Sequence, residues 1–237
     1  MSLDYKASVV SSIAIVKQRM AEACKRSGRH IDSVTLLAVT KFHPLEAVYA
    51  AYEAGIRHFG ENRLQEAESK FSEAKDELSG ASLQLLGHLQ SNKIKKAVAL
   101  FDCIQSVDSE PLLLEIAKRA ETMGKKIDIL FELHTGEESK SGFKDEASLL
   151  HAIAVASTID SLQPRGLMTM APYTQDAAIV RHAFKECTAA YEHARSALAL
   201  PAFDILSMGM SNDFEIAIEE GATMIRVGTT IFGERTR

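Results

Sequence analysis

The stretch VTLLAVTKFHPLEAVYAAYEAGIRHFG, residues 34–60, decides the fold. It opens on a β-rich run, Val34–Thr40, and closes on a shorter one, Arg57–Gly60. Between them Pro44 can open the helix-length segment Pro44–Ala54, because its missing N–H falls where a helix has no partner for one. Strand, helix and strand in that order argue for parallel pairing, since a parallel crossover needs a helix to carry the chain back over the sheet.

The same unit repeats outward from this stretch. Further strands are expected over Leu83–Gly87, Cys103–Val107, Ile127–His134, Arg165–Met170, Phe203–Met208 and Met224–Gly228. Helices are expected over Leu64–Leu78, Ser91–Leu100, Pro111–Gly124, Lys144–Thr158, Gln175–Ala199 and Phe214–Glu220. About eight such units in a chain near ~250 residues fit a closed (β/α)8 TIM barrel of the α/β class. An open, doubly wound sheet is the alternative, because the Arg57 run is short. Upstream, Val9, Ile13, Val16, Met20 and Ala23 recur at steps of three and four, which marks an extra N-terminal helix ending near Gly28. That helix should lie outside the barrel, covering its N-terminal end. No linker or compositional break divides the chain, so residues 1–237 are expected to form a single domain.

Composition narrows the function. The chain has 237 residues, 46% of them hydrophobic, and a net charge of -5 with Lys and Arg scattered among Asp and Glu. That is no footprint for nucleic acid. No stretch approaches the ~20 continuous apolar residues of a membrane span, and MSLDYKASVV lacks the basic and apolar regions of a signal peptide. A cytoplasmic location is expected. Cys24, Cys103 and Cys187 are odd in number and far apart, so they read as reduced, partly buried thiols. No His-x-x-x-His pair or Cys-His-carboxylate cluster suggests a metal, and none is expected.

In a barrel of this kind the active site gathers at the carboxyl ends of the strands. The first strand ends in Val39-Thr40-Lys41-Phe42-His43-Pro44, which puts an amine at the rim after an apolar run. Partial desolvation there favours the neutral, nucleophilic amine. A snorkelling surface lysine is the plainer alternative. Ser207-Met208-Gly209-Met210-Ser211-Asn212-Asp213 and Arg226-Val227-Gly228-Thr229-Thr230 follow the last two strands, the recurring phosphate position of this fold. Small residues let backbone N–H groups approach an anion, and a helix starting at Ser211 would add its dipole. Taken alone, Ser211 reads as an N-cap and Gly228 as a turn glycine. Arg226 lies between Ile225 and Val227, and alternation turns it to the opposite face. If that face is the barrel interior, the guanidinium needs an acceptor: a barrel glutamate, or a pyridine nitrogen such as pyridoxal 5'-phosphate (PLP) presents. The rim segments Gly60–Arg63, Gly87–Lys93 and 136–142 are polar as well. Asn62 with Gln65 can serve as a helix cap, His88 and Gln90 as loop hydrogen-bonders, and Lys140 as a solvated loop lysine.

Taken together, LLAVTK (36–41), HFGEN (58–62), LLGHLQSNK (85–93), IQSVDS (104–109), GEESKSGF (136–143), GLMTM (166–170), SMGMSNDFEIAI (207–218) and IRVGTTIFG (225–233) resemble the pyridoxal phosphate homeostasis proteins. That group is related to the N-terminal barrel domain of alanine racemase, and the resemblance spans nearly the whole chain. It implies PLP bound as a Schiff base to Lys41, the phosphate near Ser211, Gly228 and Thr229, and Arg226 facing the pyridine nitrogen. With Asn62 and Met208, these make up the expected cofactor-binding set. The sequence departs from the family pattern at Arg63, at Leu83-Gln84 and at Leu133-His134-Thr135.

The family is described as binding and supplying PLP and balancing vitamin B6 and amino-acid pools, without an established catalytic reaction. The first expectation is therefore a non-catalytic PLP carrier, a monomer that passes its cofactor to PLP-requiring apo-enzymes. A PLP-dependent amino-acid racemase is the alternative. Alanine racemase takes a tyrosine base from a second domain that this sequence lacks, although another base such as His88 could act. A Schiff-base aldolase using Lys41 on a sugar phosphate is the third reading.

Overall fold

The computed structural model of the chain describes residues 3–72, 74, 77–136 and 141–234. Eight parallel strands close on themselves in chain order: β1 (Thr35–Val39), β2 (His58–Glu61), β3 (Ser82–Leu85), β4 (Cys103–Val107), β5 (Ile127–Glu132), β6 (Leu162–Met168), β7 (Ile205–Ser207) and β8 (Met224–Val227). Closure is made by β1 against β8, where Leu37 stands opposite Arg226. The helices that carry the chain back are α2 (Leu45–Glu53), α3 (Leu64–Phe71), α4 (Ile94–Leu100), α5 (Glu110–Thr122), α6 (Glu146–Ser157), α7 (Ala177–Leu198) and α8 (Phe214–Glu219). The (β/α)8 barrel expected from alternation is present, and the short Arg57 run is a true barrel strand.

Strand alternation sorts the core into two compartments. Leu36 and Ala38 of β1, with Ile225 and Val227 of β8, join the large cluster between barrel and helices. Leu37, Val39 and Met224 point inward with Leu86, while Cys103, Leu130 and Met168 fill the facing side, and Ile205 touches both groups. Each large side chain removed from water in this way contributes on the order of 1.5–3 kcal/mol. Among the apolar residues the interior also carries Gln84, Gln105, Ser207 and Arg226, all buried.

The leading helix, α1 (Leu3–Arg26), buries Val9, Ile13, Val16, Met20 and Ala23 as its periodicity requires. It does not cover the N-terminal end of the barrel. It packs in the outer layer against α2, α8 and the short helix α9 (Thr229–Phe232). Arg19 Nε donates to Glu215 at 2.7 Å, Arg26 Nε to Glu219 at 2.7 Å, and Arg29 to the Ile218 carbonyl at 2.8 Å. The first two contacts tie α1, and the third the turn after it, to α8, which barrel closure sets beside them. Two other expectations change. The helix expected over Leu64–Leu78 ends at Phe71, where the hydroxyls of Ser69 and Ser72 take the Glu66 and Glu68 carbonyls. Such bonds compete with the helical ladder. α8 starts at Phe214, as expected of the segment Phe214–Glu220, but its N-cap is Asp213, and Ser211 lies in the turn before it instead of opening the helix.

Among the described residues, no helix is long and apolar enough to cross a membrane, and no group of three His, Cys, Asp or Glu side chains is placed to hold a metal.

Candidate functional site

The carboxyl end of β1 runs straight into a tight turn. The His43 N–H donates to the Thr40 carbonyl at 3.1 Å, so Lys41 and Phe42 are its two central residues. Phe42 has a φ of 66°, the left-handed region that bulky side chains avoid. Lys41 is half-buried at this rim.

The turn is held from below by charged side chains outside the expected cofactor-binding set. Lys70 of α3 is 7% exposed and donates to the Thr40 carbonyl at 2.7 Å, the His43 carbonyl at 3.1 Å and Glu66 at 2.9 Å. Its Nζ lies 2.5 Å from Oε1 of Glu61, which is fully buried and accepts from the Thr40 hydroxyl at 2.6 Å. Burial pushes the Glu61 carboxyl up, and the Lys70 ammonium pulls it back. Glu66 also accepts from the Phe42 N–H. The available signal was a lysine in the apolar stripe of α3, since Lys70 is buried along with Leu64, Ala67 and Phe71.

Beside this turn, β8 pairs with β1 and β7 with β8, so the ends of the last two strands neighbour the end of the first. Gly209 has a φ of 89°, and a Cβ there would lie 2.5 Å from Ala217 Cβ, so only glycine lets the chain turn under α8. Its carbonyl accepts from the Arg226 N–H at 2.9 Å. Gly228 is packed against β1, where an added Cβ would stand 3.0 Å from the Val39 carbonyl oxygen. The Thr230 N–H donates to Ser211 Oγ at 3.4 Å, which brings the two loops together. No described residue accepts from the N–H of Gly228 or of Thr229. Two backbone donors without acceptors, beside a hydroxyl and with no side chain at Gly228, are suited to an anion.

Arg226 points into the barrel, 4% exposed, and donates to Ser207 Oγ and the Thr169 carbonyl, each at 2.8 Å. No carboxylate among the described residues is within ion-pair distance, so the barrel-glutamate alternative is not what satisfies it. Burial pushes its pKa down to about 10, while Asp213 and Glu132 at longer range work the other way. A hydrogen-bonded chain runs on inward: Ser207 Oγ to Gln105 at 2.7 Å, Gln105 to Gln84 at 2.6 Å, and Gln84 to His58 Nδ1 at 3.3 Å. Glu132, also buried, accepts from Ser141 Oγ at 3.1 Å, and burial raises its pKa.

The remaining expected residues fall as follows. Asn62 is half-buried at the end of β2, and Gly87 packs so closely on it that a Cβ would meet the Asn62 carbonyl at 2.2 Å. The Met208 side chain is fully buried in the outer core, leaving only its backbone for the rim. Thr229 is exposed. Arg63 stands 5.5 Å from the Phe42 ring centroid, and exposed His88 lies 3.2 Å from Asp108. Leu83 is buried in β3, and His134 Nδ1 is buried with no partner among the described residues. Glu137, Glu138, Ser139 and Lys140 lie outside the described residues.

The chain is similar in sequence and fold to known proteins. A family model described as alanine racemase, N-terminal domain, matches residues 15–236. The pyridoxal phosphate homeostasis protein of Aquifex aeolicus is 36% identical over 222 residues, which cover 93% of this chain and 95% of that relative. The solved structure of PipY from Synechococcus elongatus with PLP bound is similar at a TM-score of 0.80 and 39% identity, covering 92% of this chain and 100% of that one. The alanine racemase of Streptomyces coelicolor, at a TM-score of 0.74 and 18% identity, covers 96% of this chain and 58% of its own; that likeness is one of fold alone.

Proposed function

The chain belongs to the pyridoxal phosphate homeostasis protein family, within the alanine racemase N-terminal domain family, and from that premise we propose that it holds PLP as a Schiff base on Lys41. The observation that carries the reading is the anion cradle of Gly228, Thr229 and Ser211, packed against Val39 two residues before Lys41. An amine and a phosphate seat on neighbouring strand ends match the two ends of one small aldehyde phosphate. When bound, PLP supplies an aldehyde that forms imines reversibly with amines.

The protein's own groups then have distinct tasks. Lys41 provides the amine. Gly228 and Thr229 would donate backbone N–H groups to the phosphate, with Ser211 alongside and Asn62 at the edge of the site. Arg226 remains protonated at neutral pH and is oriented by Ser207 and Thr169, so it would donate to the ring nitrogen. A ring nitrogen that accepts a hydrogen bond instead of carrying a proton is a weak electron sink, which favours holding over turnover. The position of Lys41 at the barrel rim supports delivery of PLP to PLP-requiring apo-enzymes; the carrier we propose is a monomer in the cytoplasm.

Titration of the purified protein with PLP tests this reading. The expected result is a saturable visible imine band at one equivalent, absent in Lys41→Ala, with no racemisation of alanine by the loaded protein. Stereospecific turnover that Lys41→Ala abolishes would overturn the carrier reading in favour of a racemase. A colourless protein that acts on sugar phosphates would overturn PLP binding itself.

A further inference from the structure

Lys70 occupies a position that packing alone would give to an apolar side chain. It shares the buried stripe of α3 with Leu64, Ala67 and Phe71. A buried ammonium is costly unless its donors are matched, and here the matching groups converge on one feature. Lys70 binds the carbonyls of Thr40 and His43, on either side of Lys41 and Phe42. Its partner Glu66 accepts from the Phe42 N–H, and Glu61, 2.5 Å from the ammonium, accepts from the Thr40 hydroxyl. The grip therefore extends over Thr40, Phe42 and His43, all but one residue of the turn that carries Lys41.

That turn needs holding. Phe42 sits at a φ of 66°, a conformation a bulky residue adopts only when its surroundings impose it. The strain lies in the residue immediately after Lys41, so releasing it would reorient the peptide from which the Lys41 side chain departs. Phe42 is 39% exposed, and burial of its own ring does not account for the conformation.

We infer that Lys70, with Glu61 and Glu66, is a positioning clamp: it fixes the strained turn and thereby aims the Lys41 amine, setting how readily that amine forms and keeps an imine. The inference rests on the Lys41 Schiff base proposed above, but the clamp also has a readout independent of PLP.

The test compares full-length wild type with Lys70→Met, Lys70→Arg and Glu66→Gln. In the first arm, PLP affinity and release rate are read from the visible imine band. Lys70→Met is expected to weaken PLP about tenfold, as misplacement of a reacting group does, with Lys70→Arg intermediate. Adding Phe42→Gly to Lys70→Met should recover part of the loss, because glycine takes the positive φ without strain. In the second arm, PLP-free protein is treated with trinitrobenzenesulfonate and the modified lysines are mapped by peptide. The rate at Lys41 is expected to change while that at exposed Lys17 does not. Wild type that forms no imine on Lys41 would sink the proposed function, with the clamp then judged on the second arm. Folded Lys70→Met with unchanged values in both arms would overturn the clamp. If Lys70→Met does not fold, Glu66→Gln, which keeps volume and removes the Phe42 acceptor's charge, is judged by the same criteria.

Discussion

A methyl group added to Gly228 would come within 3.0 Å of the Val39 carbonyl oxygen and 3.3 Å of Val39 Cβ. The last strand end of the barrel is thus seated on the first, at the level where the chain turns to present Lys41. Gly228→Ala should push the two ends apart and misdirect the N–H groups of residues 228 and 229. Charge-assisted hydrogen bonds of this type contribute roughly 1.5–3 kcal/mol, so PLP affinity should fall by about tenfold or more. The melting temperature should move much less, and isothermal titration beside thermal unfolding separates the two effects.

Ser207 links Arg226 to Gln105, accepting from one and donating to the other. Ser207→Ala leaves two buried polar groups short of a partner, and each such loss costs about 1–3 kcal/mol. The expected outcome is a clear drop in denaturant midpoint without a change in slope. Because Arg226 loses an orienting contact, the visible band of bound PLP should shift as well; an unshifted band would separate the interior chain from the cofactor's electronics.

Glu132 carries a carboxyl whose pKa is raised, by burial first. In the window between the ordinary glutamate range and that raised value, the folded state holds more proton than the unfolded state. Stability from this group is therefore greatest at acidic pH and falls as pH rises through the folded pKa. Glu132→Gln keeps the shape and an acceptor for Ser141 while removing the charge. It should raise the melting temperature at neutral pH, with the gain shrinking as the buffer is made acidic through the carboxyl range. A uniform shift at all pH values would contradict the assignment.

The thiols should be silent. Cys24, Cys103 and Cys187 are buried; desolvation pushes Cys187 up to about 12 and raises Cys103 well above its ordinary value. Thiolate is the reactive form, so a thiol reagent should leave the native protein unmodified and label all three cysteines in denaturant.

Much of this was legible in the sequence because period and position carry it. Alternation of strand and helix specified the barrel, and the three-and-four spacing of Val9, Ile13, Val16 and Met20 specified the buried face of α1. Placing Lys41, Ser211 and Gly228 at strand ends required only the strand order. What could not be read was which long-range neighbours meet. The clamp joins Glu61, Lys70 and Thr40 from separate parts of the chain, and nothing in the sequence around Lys70 names its distant partners. The chain from Arg226 to Gln84 depends on four strands facing one interior, and strand assignment alone does not set their relative heights. α1 packs on α2, α8 and α9 instead of the expected barrel end, because an apolar stripe says that a helix is buried, not against what. Ser211 is not the N-cap that its residue type suggests, because Gly209 and the Asp213 contact with the Met210 N–H form a turn there and leave the cap of α8 to Asp213.

Borohydride reduction of the PLP-loaded protein, followed by peptide mapping, bears most directly on the central claim. A single pyridoxyl group on the peptide bearing Lys41, lost from Lys41→Ala and diminished in Gly228→Ala, is the predicted result. A pyridoxyl group on any other lysine, or labelling of Lys41 that Gly228→Ala leaves untouched, would contradict an imine set between that amine and the cradle at the end of the eighth strand.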